Sequence, residues 1–105
     1  MEITKITENT FNLHKEGDYY VLAMGAITPQ TIRETQLKIT GIDTATASIV
    51  AKCGCTQTEE QKIDATTMII GVKYKECDRS FSRIVEIADK NQKTKLKIQG
   101  QCNNI

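Results

Sequence analysis

The side chains with the most chemical potential are four cysteines, one histidine and two adjacent glutamates. Cys53 and Cys55 flank a single glycine in Cys53-Gly54-Cys55-Thr56, while Cys77 and Cys102 stand alone. Four thiolates are enough for a tetrahedral zinc site, but structural zinc sites draw on paired cysteines two to four residues apart. A single pair with one intervening residue is a poor match. It is also not the Cys-x-x-Cys of thioredoxin-like redox sites, and no βαβ pattern accompanies it. A disulfide inside so short a loop is expected to be strained. The remaining reading treats Cys53 as a small hydrophobe that extends the inward face of Ile49 and Ala51, with Gly54 turning the strand.

The other candidates are weaker. His14 has no partners in its local sequence and reads as a solvated residue at a loop edge. Glu59-Glu60 lie in a polar stretch and read as a surface loop rather than a general acid/base pair. Tyr19 and Tyr20 are adjacent, so a strand sends one into the core and leaves the other as a contact residue. No Ser-His-Asp spacing, phosphate-cradling glycine loop or calcium loop occurs. No residue is therefore assigned a catalytic, cofactor-binding or metal-binding role, no cofactor is expected, and the chain is expected not to be an enzyme.

The elements that carry these residues read as strands. β-Branched residues are abundant and alternate with period two, while no segment sustains a 3.6-residue apolar period. Met68, Ile70, Val72 and Tyr74 share one face of a run, as do Thr35, Leu37 and Ile39 in another. Lys95-Leu96-Lys97-Ile98-Gln99 alternates too. In Phe81–Ile87 the inward face is Phe81, Val85 and Ile87, and Arg83 interrupts it, which predicts a bulge or a strand end there. Lys15-Glu16-Gly17-Asp18 reads as a hairpin loop, Gly41-Ile42-Asp43 as a strand end, and Glu76–Ser80 and Asp89–Gln92 as polar loops. The count is about seven to nine short antiparallel strands, the pattern of an immunoglobulin-like β-sandwich.

With 105 residues the chain is one domain, able to bury roughly 60–65% of its unfolded surface. The formal net charge is +1 with acids and bases intermixed, so nucleic acid is not an expected partner. The densest basic run, Lys93-Thr94-Lys95-Leu96-Lys97, alternates like a strand with a wet lysine face. No apolar stretch is long enough for a signal peptide or a membrane helix. The expectation is a protein folding in a reducing cytoplasm with unbridged cysteines. The alternative is an exported chain whose leader has been replaced by Met1.

The order of motifs carries a resemblance. Met24-Gly25-Ala26-Ile27 precedes the Leu37–Ile39 strand and Cys53-Gly54-Cys55-Thr56. Lys62-Ile63-Asp64-Ala65, the Ile70–Tyr74 strand, Phe81-Ser82-Arg83-Ile84-Val85 and Leu96-Lys97-Ile98-Gln99-Gly100 follow. From about Gly25 to Gly100 this resembles the bacterial Hydin/PapD-like immunoglobulin-like domains. It departs from them in lacking an export signal and in placing Ala65-Thr66 where they carry Pro-Gly. Residues 1–18 lie outside the resemblance and are expected to form an added strand or arm, followed by a sandwich over 19–102 and a tail over 103–105. The resemblance implies a structural or interaction module that assembles through sheet edges, with the N-terminal extension as the contact. Small immunoglobulin-like proteins decorate or cement tailed-bacteriophage capsids, and this chain looks like one of them. Its expected partner is then a major capsid protein, with self-association through edge strands as a further possibility. It would act in the virion capsid, assembled in the bacterial host cytoplasm. The alternative is a protein-binding module of the periplasm or cell envelope.

Overall fold

A computed structural model describes residues 1–76 and 79–103. They form nine strands: β1 (Glu2–Lys5), β2 (Asn12–Glu16), β3 (Tyr19–Ile27), β4 (Glu34–Thr40), β5 (Ser48–Ala51), β6 (Thr56–Lys62), β7 (Thr67–Tyr74), β8 (Arg79–Ala88) and β9 (Lys93–Cys102). One sheet has the order β1-β4-β7-β6 and the other β2-β3-β9-β8-β5. The protein is an all-β sandwich. Its central strand order, β1-β4-β7-β6 against β5-β8-β9, is that of the two sheets of a constant-type immunoglobulin sandwich. One pairing departs from the all-antiparallel expectation: β3 runs parallel to β9, from Tyr20 opposite Leu96 to Ile27 opposite Cys102. That placement is possible because β3 arrives from the β2–β3 hairpin and not from β9 itself. A parallel pair cannot be closed by a short turn.

Period-two alternation builds the core. Thr35, Leu37 and Ile39 of β4 and Met68, Ile70, Val72 and Tyr74 of β7 are all buried. Leu22 and Met24 of β3, Val85 and Ile87 of β8, and Leu96 and Ile98 of β9 face them from the other sheet. Each large side chain so buried contributes about 1.5–3 kcal/mol. Tyr74 and Phe81 close one end by stacking, with ring centroids 4.1 Å apart. Residues 1–18 supply two strands, one to each sheet, and place Ile3 and Phe11 in the core. The segment between them is tied down by Lys5, whose ammonium donates to the Asn9 and Phe11 carbonyls and to Asn9 Oδ1. Asp64 and Thr66 shape the turn before β7, where Thr66 N–H donates to Asp64 Oδ1 at 2.9 Å.

Two expectations are corrected here. Arg83 causes neither a bulge nor a strand end: β8 pairs with β9 without a register break from Arg79 to Ala88. The position is tolerated because the guanidinium lies near the sandwich end and finds acceptors there in the Cys55 sulfur and the Ser82 carbonyl. Glu59 and Glu60 lie not in a loop but in β6, paired with Gly71 and Ile70 of β7. An edge strand with a wet outer rim accepts polar residues that a central strand would not. The last two residues of the expected 103–105 tail, and Cys77 and Asp78 of the expected Glu76–Ser80 loop, lie outside the described residues, while Arg79 and Ser80 of that loop belong to β8, paired with Cys102 and Gln101 of β9.

Glycine matters most where β3, β9 and β8 meet. Gly25, at φ +68°, absorbs the irregularity in the β3–β9 pairing between Ala23 and Gly25. Opposite it, a Cβ on Gly100 would stand 2.8 Å from the Phe81 ring and 2.9 Å from the Gly25 carbonyl. Backbone cannot yield there as a flexible side chain could. Gly71, by contrast, has only Glu59 Cβ at 3.9 Å. Gly100→Ala is therefore expected to destabilise by about 1–3 kcal/mol through overpacking. Gly71→Ala is expected to stay within about 0.5 kcal/mol of the parent. Urea unfolding of the two variants side by side measures the contrast.

Candidate functional site

The cysteine corner joins β5 of one sheet to β6 of the other. A turn closes it, with Thr56 N–H donating to the Cys53 carbonyl at 3.1 Å. The turn brings the two cysteine Cα atoms to 5.2 Å, within the span a disulfide needs, and the sulfurs are bonded. This overturns the expectation of unbridged thiols acting as small hydrophobes. The turn supplies a distance that sequence spacing alone does not reveal. Cys102 is also disulfide-bonded, and among the described residues no cysteine is free. Cys77 lies outside the described residues. Bonded sulfurs have no thiolate to offer a metal.

The corner is held from several directions. Cys55 is buried at 4% exposure, whereas Cys53 is half-buried and packs against the rim of the core. The Cys55 carbonyl accepts from Lys75 N–H at 2.7 Å. Cys55 N–H donates to Cys53 Sγ at 3.2 Å. Arg83 Nε, reaching across from β8, donates to Cys55 Sγ at 3.0 Å, and its Nη1 donates to the Ser82 carbonyl. A second arginine braces the same end. Arg33 Nε and Nη2 donate to the carbonyls of Tyr74 and Lys75, and its Nη1 donates to that of Pro29. Neither arginine was marked as functional by its sequence context. Arg83 was visible only as a break in an apolar face.

The other sequence candidates are dispersed. His14 sits on β2, exposed, within 2.9 Å of Asn12 Oδ1 and 3.1 Å of Glu16 Oε1. Tyr20 enters the core and Tyr19 stays half-exposed, its hydroxyl donating to Glu16 at 2.8 Å. That hydrogen bond lowers the Glu16 carboxyl and raises the Tyr19 phenol from their ordinary values. Lys93, Lys95 and Lys97 share the outer face of β9, and Lys93 pairs with Glu86 at 3.2 Å. Among the described residues no group of three or more His, Cys, Asp or Glu is placed to hold a metal ion.

The N-terminal edge is a distinct feature. β1 and β2 are edge strands of opposite sheets, and they flank an open cleft of about 440 Å³. Met1, Ile3, Leu13 and Tyr20 line it together with the polar Glu2, His14 and Lys15.

No family model matches the chain, and no curated protein matches it. A solved structure, that of domains 4 and 5 of the S-layer protein SbsC, aligns with 93% of this chain at a TM-score of 0.49 and 10% identity. The chain spans 54% of that structure's length.

At the end of the sandwich away from the disulfide, Asp89 ties the β4–β5 and β8–β9 loops together. Its carboxylate accepts from the amides of Asp43 at 2.8 Å, Asn91 at 2.7 Å and Gln92 at 3.0 Å, and from the Gln92 side chain at 3.1 Å. The same Gln92 amide reaches the Gly41 carbonyl at 2.7 Å. These donors, the Asp43 amide foremost, hold the Asp89 carboxyl down from 3.8 to about 2. The folded state thus binds this proton less readily than the unfolded chain. The resulting stability is fully present above the unfolded value and is lost as pH falls through about 4 towards about 2. The urea midpoint is expected to drop across that window. In Asp89→Asn it should start lower at neutral pH and fall less steeply on acidification, leaving the smaller contributions of Glu86 and Asp64.

Proposed function

We propose that this protein is a non-enzymatic structural module that docks onto a partner protein through its N-terminal edge. The observation that carries the reading is that two edge strands of opposite sheets, β1 and β2, flank one open cleft that Ile3 and Leu13 help line. A partner strand laid along β2 would satisfy its free backbone groups while a side chain enters the cleft at Leu13 and Ile3. β6 is a poorer edge, because it has no apolar side chain to anchor a partner, whereas β2 offers Leu13 beside its charges. A second copy of this chain at the same edge is a weaker form of the same idea.

For the partner, the first reading is the shell of a tailed-bacteriophage capsid, on which the protein would act as a decoration or cement protein. Its support is the motif resemblance together with the small size of the sandwich. The bonded cysteines remove the reducing cytoplasm from the argument for this reading. A decoration protein exposed on the outside of a released particle remains compatible with them. Those same bonds favour a second reading, a protein-binding module of the bacterial envelope. Disulfides form and persist in the periplasm and on cell surfaces.

Co-sedimentation with purified capsids and with isolated envelope fractions separates the two. The first reading expects binding to capsids and increased resistance of those particles to heat or osmotic shock. Leu13→Glu, checked for folding by circular dichroism, should weaken association with either partner at least about tenfold, the cost of losing one central anchor. Binding undiminished by this substitution would rule out the β1–β2 edge as the contact.

A further inference from the structure

The two sulfurs of Cys53 and Cys55 differ in ways that matter for reactivity. Cys53 is half-buried, whereas Cys55 is enclosed and has the Arg83 guanidinium Nε at 3.0 Å from its sulfur. Thr56 Oγ1 lies 3.9 Å from the same sulfur. Thiol–disulfide exchange requires an approachable sulfur to receive the attack and a second sulfur able to leave as a stable thiolate. A nearby cation stabilises a thiolate.

We propose that Cys53–Cys55 is a thiol–disulfide exchange site whose co-reactant is a low-molecular-weight thiol, with Cys53 the attacked sulfur and Cys55 the leaving group. An external thiolate forms a bond to Cys53 Sγ, the Cys53–Cys55 bond breaks, and its electron pair stays on Cys55 Sγ beside Arg83. The product is a mixed disulfide at Cys53 and a thiolate at Cys55, with no net oxidation. A second external thiolate then attacks the external sulfur of the mixed disulfide. Cys53 leaves as a thiolate, which takes up a proton, and the two external thiols are released as their disulfide. The protein has gained the two electrons they lost. In reverse, Cys53 opens a small disulfide and Cys55 closes the ring. Arg83 is a positioning residue that stabilises the departing sulfur. The docking edge at β1 and β2 does not include this corner, so the two proposals stand or fall separately.

Glutathione is the probe, and peptide mass spectrometry resolves the sites from the bond at Cys102. With the native protein, reduced glutathione is expected to open Cys53–Cys55 faster than the protein unfolds, and to leave its adduct on Cys53. Arg83→Gln should slow opening roughly three- to tenfold by making Cys55 a poorer leaving group, and Arg83→Lys should restore much of the rate. A second pair of variants does not depend on Arg83. Cys55→Ser leaves a single thiol that oxidised glutathione should modify readily, while Cys53→Ser leaves an enclosed thiol that should react at least about tenfold more slowly. Opening only at the global unfolding rate, an adduct on Cys55, an Arg83→Gln rate equal to the parent's, or equal reactivity of the two single-thiol variants would overturn the proposal.

Discussion

The parallel pairing of β3 with β9 is the constraint on which the rest of the molecule depends. It seats β2 and β3 in the second sheet while β1 belongs to the first, so the chain crosses between the sheets ahead of β4 in sequence. The contact works only because two backbones approach where no side chain intervenes. Gly100 faces the Gly25 carbonyl and the edge of Phe81, and Gly25 takes up the register irregularity with a left-handed φ. Phe81 in turn stacks on Tyr74 of the opposite sheet. One close approach therefore links the outermost addition to the sandwich with the packing between its layers. A consequence is that β1 and β2 become the edges on one side.

The two ends of the sandwich are fastened by different chemistry. At one, a single carboxylate collects backbone donors from separate loops, and Asp89 does for the β4–β5 and β8–β9 connections what a turn residue does locally. At the other, arginines collect carbonyls and a sulfur, and a covalent bond closes the crossing from β5 to β6. Charge-assisted hydrogen bonds suit both tasks because each ion satisfies several backbone groups that loop geometry would otherwise leave unpaired.

Much of the sandwich is legible in the sequence because burial has a local signature. Leu37 and Ile39, the alternating Met68, Ile70, Val72 and Tyr74, and Leu96 and Ile98 announce their faces by alternation alone, and the structure buries each of them. Where the reading fails, the deciding partner is distant or the rule is one of context. The sulfur bond depends on a turn that folds Cys53 back onto Cys55. The inward Arg83 is tolerated because a sulfur 28 residues away accepts from it. β6 is polar throughout its exposed length and has no alternation to betray it, yet β7 holds it by backbone pairing. Parallel pairing leaves no trace in either strand's own pattern, since both faces of β3 and β9 would look the same beside any neighbour.

The four edges of the sandwich are not equivalent. A sandwich of two open sheets has four edges, here β1, β6, β2 and β5. β6 carries alternating and adjacent charges along its rim, a standard defence against unwanted strand addition. β5 has only four residues and abuts β6 across the gap between the sheets, where the disulfide corner fixes its exit. β1 is as short as β5, and β2 carries His14, Lys15 and Glu16, so length and charge alone do not set this side apart. What does is that β1 and β2 bracket a cleft to which Ile3, Leu13 and Tyr20 contribute apolar surface among polar neighbours. Short edges with a pocket between them favour a partner that supplies both a strand and an anchoring side chain, and they disfavour one that supplies a strand alone. Selectivity of that kind is what a module needs when it must add to one surface without adding to itself.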